Sequence, residues 1–268
     1  IVLWRSTLIV LLAPDRLEYR LTSPLGMKGA DTGDLACPSA AAGDQALWRG
    51  ACDTLGALID EHRENPPRIE VLLSDRYVHY QVLDWRPDIV TLQEWRAYAR
   101  HMFALVHGEA ARQWDFRIDI VPPGRPSLAC GIDQALIAAL RATAHERGAR
   151  LAGIRPQFVR LFNRKHFATR NLRQVWFAVV EARHVCLGVQ IDGSWRAMRN
   201  EPAPEGWRKA LPGMVRRVGL GLGEEIRGQS LYLCGNLGAG DVPAFIDGLS
   251  VQAAETGRVI LGRAHPND

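Results

Sequence analysis

The sequence predicts an α/β protein built of two similar halves, each with a mixed β-sheet and flanking helices. Two observations support this prediction. Apolar stretches that alternate like strands are interleaved with stretches of helical spacing along the whole chain. The second half gives the order β-β-β-α-β-α-β, and the first half gives a similar but more decorated order. With 268 residues, 47% hydrophobic and 23% charged, the chain can bury a self-sufficient core.

The first half begins with a predicted β-hairpin. Residues 6–13 are an apolar run and residues 17–21 alternate, with Pro14-Asp15 as the turn between them. The other elements predicted in this half are a short strand near 35–37, a helix at 44–62, strands at 68–74 and 77–83, a helix at 91–107 that opens with a capping-box pattern, strands at 116–120 and 128–132, and a helix that begins after Asp133.

Three strands in succession open the second half, and Asp192-Gly193, a dipeptide that favours tight hairpins, joins the last two. A helix over residues 205–222 follows, and Pro212-Gly213 should kink or split it. The full predicted series is strands at 175–180, 185–191 and 195–198, that helix, a strand at 231–234, a helix at 241–250 and a strand at 258–261.

We place the first domain at residues 1–150 and the second at residues 174–268, joined by a basic segment at 151–173. The net charge of the chain is only +4, but the stretch from Arg141 to Arg173 is strongly basic and contains a single acidic residue. Such a cluster fits an acidic partner, an anionic lipid, a nucleic acid or simply a solvated helix face.

Cysteine usage and hydropathy indicate a cytoplasmic protein. The five cysteines are odd in number and widely spaced, without a C-x-x-C pair, which argues against a disulfide framework or a zinc site. No apolar stretch reaches the length of about 18 residues that spans a bilayer. We interpret the apolar opening, which Arg5 interrupts, as a strand and not as a signal peptide.

Three stretches resemble a known group of proteins: LACGIDQALIAALRATAHERGARLAGIRPQFVRLFNR at 128–164, WFAVVEARHVCLGVQIDGSWRAMR at 176–199, and LYLCGNLGAG at 231–240. They are similar to PilM of type IV pilus machinery and to the cytoplasmic domain of GspL of type II secretion. Both have the actin-like ATPase fold, in which two ribonuclease-H-like halves face a nucleotide cleft.

This resemblance implies a recruiting role. PilM-like proteins are cytoplasmic and bind the short tails of membrane partners such as PilN, and GspL domains contact the assembly ATPase. We therefore expect a cytoplasmic scaffold that is peripheral to the inner membrane and binds a partner's tail, with the assembly ATPase as a further partner. The basic segment supplies four candidate partner-binding residues, and Trp207, in a polar context, is a candidate exposed anchor. The four are Arg155, Arg160, Arg164 and Lys165.

The nucleotide-binding elements of the family are degenerate in this chain. The two phosphate-binding hairpins should each carry an Asp beside Gly, so that backbone N–H groups approach phosphate and the Asp holds hydrated Mg²⁺. The first hairpin has Asp15 but no glycine, and Pro14 lacks an N–H. The second has Glu181 and Arg183 where the family has Asp and Gly.

A third element, CGNLGAG, keeps the glycines of the family's adenosine-side turn. We therefore predict a pseudo-ATPase with no catalytic residue and no cofactor. The alternative is an ATP-binding switch that holds ATP and Mg²⁺ with Asp15, Gly235 and Gly238 in the cleft.

Two further alternatives belong to other functional classes. A ribonuclease-H-like nuclease would gather carboxylates around two metal ions, and this chain offers Asp15, Glu70, Asp75 and Glu181 as candidates. A nucleic-acid binder would use the basic stretch and show a steep dependence of affinity on salt. The histidines lack metal-ligand spacing, so we expect no metal site. The scaffold is the leading prediction, and with it we expect no nucleic-acid partner.

Overall fold

The structure, a computed structural model, describes residues 6–23, 30–38, 46–119, 121–169, 171–223, 228–238, 240 and 242–256. Within them, the strands are β1 (Thr7–Leu12), β2 (Arg16–Thr22), β3 (Asp31–Ala36), β4 (Arg68–Leu73), β5 (Val78–Leu83), β6 (Trp114–Ile118), β7 (Ser127–Asp133), β8 (Arg150–Pro156), β9 (Gln174–Glu181), β10 (His184–Ile191), β11 (Ser194–Pro202), β12 (Ser230–Gly235), β13 (Phe245–Ile246) and β14 (Leu249–Thr256). The helices are α1 (Arg49–Asp60), α2 (Leu92–His107), α3 (Gln134–Glu146), α4 (Gln157–Thr169) and α5 (Trp207–Leu222).

The described residues form two compact units. Among the described residues, the first unit contains those up to Tyr77 together with Asp133–Gln157, and the second contains Val78–Ile132 together with Phe158–Thr256. This division differs from the predicted boundaries at 150 and 173. The second unit takes in 78–132 because that segment packs against later strands: the Asn200 side chain on β11 donates a hydrogen bond to the carbonyl of Val78 on β5, at 2.7 Å.

The first unit is built on a five-stranded sheet in the order β3-β2-β1-β4-β8. The strands β1, β2 and β3 are antiparallel, whereas β4 and β8 run parallel to β1. The guanidinium of Arg147, just after α3, contacts the Gly56 carbonyl and the Asp60 carboxylate on α1, each at 3.1 Å. The predicted hairpin, the strand near 35–37 and the helix that Asp133 caps are confirmed.

The large sheet of the second unit repeats this arrangement in the order β11-β10-β9-β12-β14-β13. Its first five strands have the same relative order and directions as the first sheet, with β13 added at the edge. The prediction of two similar halves with mixed sheets is therefore confirmed. The hairpin at Asp192-Gly193 is also confirmed, with positive φ angles of 51° and 70°.

The segment 78–132 forms a smaller sheet, in the order β5-β7-β6, against which α2 packs. The predicted capping box opens α2: the Thr91 side chain accepts from the Glu94 N–H, and the Glu94 carboxylate accepts from the Thr91 N–H. The core between helix and sheet is aromatic and aliphatic, and its fully buried members include Leu83, Ala99 and Phe103. None of the described helices has the length and apolarity to cross a membrane.

The chain passes from the first unit to the second within the basic segment 151–173, as predicted, but this segment is folded into regular elements of both units. Its first part is β8, the fifth strand of the first sheet, and its second part is α4. The arginines of α4 obscure an apolar face in the sequence, since Phe158, Leu161 and Phe162 lie at helical spacing and are buried. The Phe158 and Phe162 rings contact Phe177 at centroid distances of 5.5 and 5.4 Å.

One other prediction in the second half is wrong. The helix expected at 241–250 is instead the hairpin of β13 and β14, whose turn residues Asp247 and Gly248 have φ angles of 48° and 91°. The helix predicted at 205–222 is present as α5, and Pro212 does not split it. The strand predicted at 258–261 lies outside the described residues.

Candidate functional site

The hairpin between β1 and β2 holds Asp15, the candidate magnesium-binding residue, in an ion pair. The Asp15 carboxylate accepts a hydrogen bond from the Arg76 guanidinium at 3.1 Å. The Ala13 N–H donates to the Arg16 carbonyl at 2.9 Å, and Pro14 has no N–H. In this turn the Asp15 carboxylate is therefore engaged by a cationic side chain, and the Ala13 N–H is used within the hairpin.

The second candidate hairpin joins β9 to β10 through a two-residue turn. Glu181 and His184 form its last cross-strand pair, and both are buried. The carbonyl of Arg183 in the turn accepts from the Ala203 N–H at 2.8 Å. His184 Nε2 is 2.8 Å from the Asn200 Oδ1, and the same amide group donates to β5. This hairpin is built into the packing of the second unit.

The glycine turn after β12 has a structural explanation at Gly235. Its φ of 106° disfavours other residues, and a Cβ there would overlap the Val180 carbonyl oxygen on β9. The same oxygen accepts from the Asn236 N–H at 2.9 Å. Gly238, with a φ of 69°, donates its N–H to the Asn236 side chain at 3.2 Å and has open space at its Cβ position.

Side chains at the start of α5 hold this turn. The Trp207 indole N–H and the Arg208 guanidinium both donate to the Leu237 carbonyl at 3.1 Å. Arg208 also donates to the Gly240 carbonyl at 3.2 Å, and its guanidinium lies 4.4 Å from the centre of the Trp207 ring. Trp207 is only 5% exposed, so the prediction that it is an exposed partner-binding residue is wrong.

The four basic candidates are divided between the two units. Arg155 is exposed on β8 in the first unit, whereas Arg160, Arg164 and Lys165 are partly exposed on α4 in the second. On α4, Arg160 and Arg164 lie on the side of the helix opposite the buried Phe158, whereas Lys165 lies one turn after the buried Leu161, on the apolar side of the helix. The structure does not gather all four candidates in one unit.

The structure does not bring together in one unit all the carboxylates considered for a nuclease. Glu70 pairs with Arg68 at 3.4 Å, Asp75 is 1% exposed, and Glu181 belongs to the other unit from Asp15. In the part of the chain that the structure describes, no group of three or more His, Cys, Asp or Glu side chains could hold a metal ion.

A cluster of aromatic rings between α2 and the small sheet was not expected from the sequence. His79 stacks on Trp114 at a centroid distance of 3.8 Å, and His107 meets both rings, at 4.9 and 5.0 Å. Burial, followed by repulsion from His107, lowers the pKa of His79 to about 4, and burial also lowers the pKa of His107. Near neutral pH these imidazoles are uncharged packing groups.

Comparison with known proteins identifies the fold. No protein-family model and no curated protein matches the sequence. Among solved structures, a Bacteroides thetaiotaomicron protein with an actin-like ATPase fold matches with a TM-score of 0.59 and 13% identity, over 87% of this chain and 83% of that one. A PilM–PilN type IV pilus biogenesis complex matches with a TM-score of 0.57 and 13% identity, over 85% of this chain and 81% of that one.

The cytoplasmic domain of EpsL, an inner-membrane component of the type II secretion system of Vibrio cholerae, gives a TM-score of 0.54 and 12% identity, over 94% of this chain and 88% of that one. At this low identity the likenesses establish the fold alone. The chain has the actin-like ATPase fold, and the predicted resemblance to PilM and to GspL-type domains is confirmed at that level.

Proposed function

We propose that this protein is a non-catalytic actin-like scaffold of an inner-membrane assembly platform, of the type IV pilus or type II secretion kind. It binds the cytoplasmic tail of a membrane partner. One observation supports the absence of catalysis most directly: the Asp15 carboxylate, where an actin-like ATPase would hold hydrated Mg²⁺, is paired with Arg76. A guanidinium beside the carboxylate disfavours a divalent cation at the same oxygens by charge repulsion.

The other nucleotide-contacting elements support the same conclusion. Neither hairpin has a glycine that would let phosphate approach the backbone, and the second is occupied by the Arg183–Ala203 contact. Gly235 serves the packing of β12 against β9, as its overlap with Val180 indicates. These features support a scaffold that acts without a bound nucleotide.

The recruiting role is supported by the fold neighbours. One is a PilM–PilN complex and another is the cytoplasmic domain of an inner-membrane component of type II secretion. By analogy, this protein is cytoplasmic, lies at the inner membrane through its partner, and has the assembly ATPase as a further partner. The proposed partner-binding residues are Arg155 in the first unit, and Arg160, Arg164 and Lys165 on α4 in the second.

Isothermal titration calorimetry with ATP and Mg²⁺ tests the pseudo-ATPase proposal, at protein concentrations that detect a sub-millimolar site. We expect no binding heat. A saturable heat that Asp15→Ala abolishes would overturn the proposal and establish the ATP-binding switch instead.

Affinity purification from the native membrane fraction tests the recruiting role. The protein should retain an integral inner-membrane protein, and a synthetic peptide of that protein's cytoplasmic tail should bind directly. Arg164→Glu on α4 should weaken this binding, whereas Arg217→Glu on α5, where the arginine pairs with Glu201, serves as the matched control. Retention of soluble proteins alone, or equal binding by the two variants, would contradict the proposal.

A further inference from the structure

We draw no further inference here: the strongest candidate, a cleft of about 620 Å³ at the C-terminal end of α1 that Asp60, Glu61, His62 and Glu64 line, rests on a cluster of acidic residues, and nothing in the described part of the chain shows what would bind there.

Discussion

Gly235 illustrates how a residue that suggests ligand binding can be required by packing. It follows a buried strand in a glycine-rich turn, which is where the adenosine-side turn of actin-like proteins lies. Its positive φ and the approach of the Val180 carbonyl leave no room for a Cβ. The turn would therefore keep this glycine without any nucleotide, so its presence alone is weak evidence for ATP binding.

Replacement of Gly235 by alanine should destabilise the protein strongly. The new methyl group would overlap Val180 and the backbone would be strained at a φ of 106°, at a combined cost of about 2–4 kcal/mol. Gly238→Ala is the matched control, since its φ is also positive but its Cβ would enter open space, at a cost of about 1 kcal/mol. Urea denaturation of the two variants measures the difference, and equal losses would refute the packing explanation.

For individual residues, the candidate site was only partly predictable from the sequence. The presence of Asp15 and the lack of glycine in both hairpins can be read directly. The partner of Asp15 could not be, because Arg76 is 61 residues away and belongs to no local pattern with it. Trp207 was predicted to be exposed because its neighbours in the sequence are polar. It is instead buried at the start of α5, where its indole N–H donates to the Leu237 carbonyl.

Among the secondary-structure elements, those with a strong local signal were predicted best. β9 and β10 are buried at all eight positions each, so their continuous apolar runs were clear in the sequence. The dipeptide Asp-Gly marks the turn at 192–193 and equally the turn at 247–248, where we predicted a helix instead. Helical spacing over 241–250 was the misleading signal, and the turn chemistry was the correct one.

α2 and the small sheet share the His79, His107 and Trp114 cluster, which should make their packing sensitive to acid. The folded pKa of His79, about 4, lies below the unfolded value near 6.5. Between these values the unfolded chain binds more protons, so stability is complete above pH 6.5 and falls as the pH drops toward 4. The lowered pKa of His107 acts in the same direction.

His79→Phe should therefore flatten the dependence of stability on pH. The unmodified protein should lose up to about 3 kcal/mol through His79 between pH 6.5 and 4, and the variant should lose correspondingly less, since the phenyl ring stacks but does not titrate. Urea denaturation at a series of pH values measures the slope. His145→Gln, at an exposed position on α3, is the control and should leave the slope unchanged. An unchanged slope in His79→Phe would contradict the role of the cluster.

For the whole molecule, the duplication was predictable but the division into units was not. The repeated order of strands is a local property that each half shows separately. The membership of segment 78–132 depends on contacts between distant residues, such as Asn200 with Val78, which are 122 residues apart. A boundary drawn from composition alone separates these residues, because a basic stretch resembles a linker even when it forms a strand and a helix.

Phe158 connects three separate parts of the second unit, so its loss should destabilise that unit as a whole. It is fully buried on α4 and its ring contacts Tyr80 on β5, Phe177 on β9 and Trp195 on β11, at centroid distances of 5.8, 5.5 and 5.8 Å. Phe158→Ala leaves a cavity among these rings and should cost about 3–5 kcal/mol.

Leu105→Ala is the control for Phe158→Ala, since Leu105 is 68% exposed on α2 and its truncation should change stability by less than about 0.5 kcal/mol.

Hydrogen exchange of Phe158→Ala shows whether the loss of stability is confined to α4 or spreads through the second unit. Because Phe158 joins α4, the small sheet and the large sheet, protection should fall together in β5, β9 and β11. A loss confined to α4 would show that the helix is an appendage, and the segment 158–169 would then be the linker that its composition suggests.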